Sequence, residues 1–159
     1  MNAFRRTLAV ASLSLTAIAT SAAADDMATV QTFYDLLSNP GSETHMAAFL
    51  GATSESWESV GDYSGENEGR DGFVGQMGFF SQLIPDLDWS VQAMHQDGDF
   101  VTVRSRATGT PTGPFFGVDG EGRSFDILTI DIHELDDGVV VRTYHVEDWA
   151  SALQQLSGR

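Results

Sequence analysis

Two adjacent segments, DIHELDD (residues 131–137) and VVVRTYHV (residues 139–146), concentrate the side chains of acid–base chemistry: Asp131, His133, Arg142, Tyr144 and His145. A carboxylate enclosed among apolar groups holds its proton more tightly, and a neighbouring imidazole or guanidinium pulls it back, so such a group can exchange protons near neutral pH. Abstracting a proton beside a carbonyl also requires a hydrogen-bond donor for the developing enolate oxygen. Tyr144, His145 and Arg142 are the candidates for that donor, with Asp131 and His145 as the proton-transfer pair. His133, Arg142 and Tyr144 are assigned to orienting a substrate.

Pairing across the hairpin decides which of these residues meet. Asp137-Gly138 has the composition of a two-residue turn. Ideal pairing about it sets His133 opposite Arg142 and Asp131 opposite Tyr144, a polar quartet on one face, expected to line a closed pocket. His145 has the opposite parity and reaches the same cavity only if a β-bulge intervenes, a feature common beside active sites. The alternative is structural: a non-catalytic polar lining, or a solvated face on which Arg142 pairs with Glu134 or Asp131. Asp148 stands where an N-cap is favoured, and Glu147 reads as solvated.

Aromatic residues supply a second ingredient. Trp57, Tyr63, Phe73, Phe79, Phe80, Phe115 and Phe116 can line a cavity for a flat or alicyclic ligand. Of these, Trp57, Phe80 and Phe116 are taken as substrate-binding residues. No metal and no cofactor is expected: His45, His95, His133 and His145 show no tight ligand spacing, and cysteine is absent. Gly120-Glu121-Gly122 falls between strands rather than between strand and helix, and no serine sits in a Gly-x-Ser-x-Gly elbow.

The elements that must position these residues follow from periodicity. Helices are predicted over residues 27–37, where Val30, Phe33, Tyr34 and Leu37 recur at helical spacing, and over 44–50, 71–83 and 149–156. Strands rich in Val, Ile, Thr and aromatics are predicted over 87–96, 99–110, 123–135 and 139–146. The polar, glycine-rich stretch 53–69 reads as a loop with a turn of helix around Trp57. Helices followed by a meander of antiparallel strands give an α+β domain.

Composition bounds the rest. Arg5-Arg6, an uncharged run over 7–19 and Ala22-Ala23-Ala24 describe a cleavable signal peptide over residues 1–24, leaving a domain at 25–159 that is secreted or periplasmic, with no membrane insertion after cleavage. The 159-residue chain carries 23 acids, eight arginines and no lysine, for a formal net charge of −15. Nucleic acid is therefore excluded as a partner, since phosphate binding needs clustered basic side chains. The expected partner is a small, mostly apolar organic molecule, and the acidic excess reads as a solvated surface that favours solubility, with a basic or cationic ligand as the alternative.

The order G-R-D-G-F (69–73), I-P-D-L (84–87), D-G-D-F-V-T-V-R (97–104), G-T-x-T-G-x-F-x-G (109–117), D-D-G-V-V-V (136–141) and D-W-x-x-x-L-Q-Q-L (148–156) resembles the SnoaL-like polyketide cyclases and their ester cyclase relatives. The resemblance implies the cone of nuclear transport factor 2: a curved antiparallel sheet with N-terminal helices around a pocket, often a homodimer through the outer sheet face. It also implies cofactor-free ring closure, with proton transfer shared by a carboxylate on the last strand and a histidine on the strand before. This chain exchanges the two types, placing Asp131 at the histidine position and His145 at the carboxylate position. Pro111 and Arg142 replace residues that are often histidine and glutamate in relatives, which implies a different ligand. The expected activity is cofactor-free acid–base cyclisation, isomerisation or hydrolysis, and the alternative is a periplasmic small-molecule-binding or dimeric interaction domain without catalysis.

Overall fold

The structure, a computed structural model, describes residues 15–159, with side chains described from Asp25 onward. Of the predicted leader, residues 1–14 lie outside the described residues. Helix α1 (Leu15–Ser38) starts earlier than the expected residue 27. Its apolar stripe is as read: Val30, Phe33, Tyr34 and Leu37 are all buried. Asn39-Pro40 ends it, because the residue before proline is pushed out of helical geometry. Ser42 then caps α2 (Glu43–Ala52) by accepting from the His45 amide.

Six strands form one sheet, ordered β2-β1-β6-β5-β4-β3. The meander is β3 (Asp88–Asp97), β4 (Phe100–Gly109), β5 (Phe125–Asp136) and β6 (Val139–Glu147), within one or two residues of expectation. Asp137 and Gly138 both have positive φ, 48° and 76°, as the tight hairpin turn requires. Helix α3 (Arg70–Leu83) buries Phe73, Met77 and Phe80, and α4 (Trp149–Leu156) is capped by Asp148, whose carboxylate accepts from the Ser151 amide.

The stretch 53–69 corrects the sequence reading. Instead of loop it supplies β1 (Thr53–Val60), parallel to β6, and the short β2 (Glu68–Gly69), antiparallel to β1. The segment TSESWESV has little intrinsic strand preference; its conformation comes from a partner more than 80 residues away in sequence. Between the sheet's inner face and the helices lies an aromatic core in which Phe33 stacks on Phe73 at 5.2 Å, with Phe49 and Trp57 packed on its edges.

Candidate active site

A bulge in β6 decides which side chains face inward. Asp136 pairs with Val139 and Leu135 with Val140, but Glu134 pairs with Arg142, so Val141 is an extra residue. From there the parity is inverted: His133 lies opposite Thr143, Asp131 opposite His145 and Thr129 opposite Glu147, all on the inner face. The ideal register, which paired His133 with Arg142 and Asp131 with Tyr144, is therefore corrected. Arg142 and Tyr144 point outward, where Arg142 bonds Glu58 at 3.3 Å and Glu134 at 3.2 Å. They do not line the cavity with Asp131.

Asp131, His145 and Glu147 of these pairs border a cavity of about 100 Å³. Helix α1 contributes Phe33 and Leu37, α3 contributes Phe73, Gln76, Met77 and Phe80, and the sheet contributes Ser59, Glu68, Trp89, Asp131, His145 and Glu147. Phe116 and Trp149 complete the wall. Phe80 and Phe116 thus stand where the sequence suggested, as does Phe73. Trp57 does not: it is 1% exposed inside the aromatic core, and its ring lies behind the wall. Tyr63 and Phe79 are exposed and Phe115 is core. Glu147, expected in solvent, is turned inward because it follows the bulge.

Asp131 is at the end of a chain of hydrogen bonds whose directions can be deduced. The Trp57 indole can only donate, and it does so to Thr143 Oγ1 at 3.0 Å. At the other end the Tyr34 hydroxyl donates to Asp131 Oδ2 at 2.8 Å, so its oxygen accepts from His133 Nε2–H, also at 2.8 Å. A neutral His133 then accepts at Nδ1 from the Thr143 hydroxyl, 3.0 Å away. Burial and the nearby charge of His145 push the His133 pKa down to about 3, which keeps the imidazole neutral at physiological pH. Every donor in the chain points toward the carboxylate. His133 therefore supports Asp131 from behind and does not itself line the cavity.

Asp131 is 2% exposed, and burial raises its pKa to about 7 against the Tyr34 hydrogen bond; Glu147 raises it further, and His145 opposes that. Its Oδ1 has no protein donor among the described residues. His145 Nδ1 donates to Glu147 Oε1 at 2.8 Å. That bond raises the His145 pKa, and Asp131 and Glu68 add to the effect. A proton acceptor poised near neutrality thus sits directly across the ladder from an imidazole biased toward its charged, donating form.

Tyr34 was legible from sequence only as a core residue. The missed signal was its hydroxyl, since a tyrosine on a fully buried helix stripe must find a polar partner. Gly61 was not legible either. A Cβ there would lie 2.9 Å from His145 Cε1 and 3.0 Å from Nε2, so the glycine provides room for the ring. Gly61→Ala is expected to displace His145 and weaken its coupling to Asp131, read as a lower His145 pKa in an NMR titration of the imidazole. An unchanged titration would show that the ring has other room to settle.

Comparison with known proteins accords with this geometry. The SnoaL-like polyketide cyclase family matches residues 28–156. No curated protein matches the chain. Among solved structures, a SnoaL-like polyketide cyclase from Jannaschia sp. CCS1 superposes with a TM-score of 0.73 at 22% identity, covering 86% of this chain and 94% of that one. IdmH from Streptomyces antibioticus, described as a polyketide cyclase, gives 0.69 at 24% identity, covering 82% and 97%. A ketosteroid isomerase-like protein from Catenulispora acidiphila, solved with trimethylamine, gives 0.64 at 16% identity, covering 82% and 92%. With a family match spanning most of its length and the fold shared by these structures, the chain belongs to the SnoaL-like polyketide cyclase family.

Proposed function

We propose that the protein binds a small organic molecule with an acidic C–H beside a carbonyl and catalyses a cyclase- or isomerase-type proton transfer without a cofactor. The observation that carries this reading is the pairing of Asp131 with His145 across the β5–β6 ladder, both bordering one enclosed cavity. Asp131 takes the proton through Oδ1, the C–H electrons become the enolate double bond, and the carbonyl π electrons move to oxygen. His145 donates to that oxygen. Either a conjugated carbon of the enolate recovers the proton from Asp131, moving the double bond, or the enolate carbon attacks a second carbonyl of the same ligand, closing a ring, and the alkoxide so formed takes the proton back from Asp131. Tyr34 and His133 hold the carboxylate in place. Trimethylamine in the Catenulispora protein supports a ligand of similarly small size in this fold.

Proton exchange in D₂O tests this without knowledge of the product. A panel of small ketones and β-keto esters, followed by NMR, should lose α-proton signal with the protein present, at a rate that climbs through about pH 7 as Asp131 ionises. Ligand retention by the cavity with no exchange in any member would leave a binding domain in place of an enzyme.

The outer sheet face carries Leu128, Ile130, Ile132 and Val146, all exposed. A second copy of the chain covering this strip accounts for so much apolar surface on one face. Light scattering should give twice the chain mass, and Ile130→Asp should halve it. A monomeric wild type would refute the pairing.

A further inference from the structure

The cavity wall combines two features that the proton-transfer reading does not use together. Its charged side chains are three carboxylates, Asp131, Glu68 and Glu147, against the single imidazole of His145, and neither arginine nor lysine reaches it. The remaining surface is dominated by aromatic rings, among them Trp89 and Trp149, whose centroids lie 6.2 Å apart at 69°. Asp131, whose side chain is almost wholly buried, borders this space, and its Oδ1 has no protein donor among the described residues.

Such a wall repels an anionic ligand and attracts a cationic one. The faces of tryptophan and phenylalanine carry negative potential and favour a desolvated cation within about 6 Å. The carboxylates do not converge: among the described residues, no three His, Asp or Glu side chains gather closely enough to hold a metal ion. Charge spread around an apolar wall suits a cation whose own charge is spread over methyl groups. Size narrows the class further. At about 100 Å³ the cavity lies well below the roughly 300 Å³ at which drug-sized pockets begin.

We propose that the cavity selects a small alkylated ammonium compound, its cationic head among Trp89, Trp149 and the three carboxylates. This rests on the cavity being the ligand site, as in the reading above, and extends that reading to the substrate class. In the proton-transfer mechanism the ammonium group would lie beside the carbonyl and stabilise the enolate by its charge.

The test compares isosteres. Calorimetric titration of the full chain with choline, with tetramethylammonium and with 3,3-dimethylbutan-1-ol, the uncharged carbon analogue of choline, is expected to show choline bound at least about tenfold more tightly than the alcohol. Glu68→Gln and Glu147→Gln should each lower the affinity for choline and so reduce that ratio, and a ratio unchanged in both would place the cation away from these carboxylates and overturn the proposal. Equal affinity for choline and the alcohol, or binding of the alcohol alone, would overturn the proposal. So would failure of both ammonium ions to bind at millimolar concentration. The exchange assay on neutral ketones is independent: exchange with no ammonium preference leaves the chemistry and removes the ligand class, whereas ammonium preference with no exchange does the reverse.

Discussion

Replacing Asp131 with asparagine is expected to lower the rate of proton exchange by about 10² to 10⁴, the usual cost of losing a positioned proton-transfer group. Asparagine keeps the shape and still accepts from Tyr34, so the affinity for a neutral ketone should change little. His145→Ala should give a loss of the same order. The double variant should be little worse than either single one, because residues acting as a unit lose their joint effect once. Additive losses would mean that the two act separately, and full activity in both would remove the couple from the mechanism. The same substitution has a thermodynamic signature. Asp131 binds its proton more tightly folded than unfolded, so it contributes stability in acid that is lost as pH rises from about 4 to about 7. His133 has the opposite sign: its folded pKa is depressed, so its contribution is present above about 6.5 and lost as pH falls toward 3. In the wild type the two slopes, each up to about 1.4 kcal/mol per pH unit, largely cancel between pH 4 and 6.5. In Asp131→Asn only the histidine slope remains, and stability measured by urea unfolding should rise with pH across that window. A flat profile in the variant would contradict the buried, neutral His133.

Tyr34→Phe is the second large effect. It removes the hydroxyl that donates to Asp131 and accepts from His133, leaving a buried oxygen and a buried N–H without partners, at a cost of about 1–3 kcal/mol in stability. The Tyr34 hydrogen bond is what opposes burial in setting the Asp131 pKa, so its loss moves the acid limb of the exchange rate to higher pH. The other charged groups facing this carboxylate are unchanged in the variant: His145 and Glu147 on β6, with Glu68 on β2. A destabilised protein whose acid limb stays in place would make Tyr34 a packing residue only.

Where residue types matched their environment, the fold was readable before any coordinates. The stripe of Val30, Phe33, Tyr34 and Leu37, and the alternation of Phe125, Ile127 and Leu135 along β5, carry their period in the side chains themselves. The strand β1 carries no such signal, because Ser54, Glu55, Ser56 and Glu58 are extended only through a distant partner. The site was half legible for a related reason. Asp131, His145, Phe80 and Phe116 were identified by type, but pairing depends on Val141, and nothing in a run of three valines marks which one is extra. Trp57 looked like a ligand contact and serves as the far anchor of the Asp131 hydrogen-bond chain.

Val141 gives the hairpin a second, unrealised arrangement. Beyond the bulge, β6 carries two complete sets of side chains in alternation, with Thr143, His145 and Glu147 inside and Arg142, Tyr144 and Val146 outside. Shortening the strand by that one residue restores ideal pairing and interchanges the sets, so that Tyr144 and Val146 take the places of His145 and Glu147 in the cavity wall and Arg142 that of Thr143 behind it. Strand length, with no change in any neighbouring side chain, therefore decides whether Asp131 shares its cavity with an imidazole–carboxylate pair or with a phenol and an alkyl group.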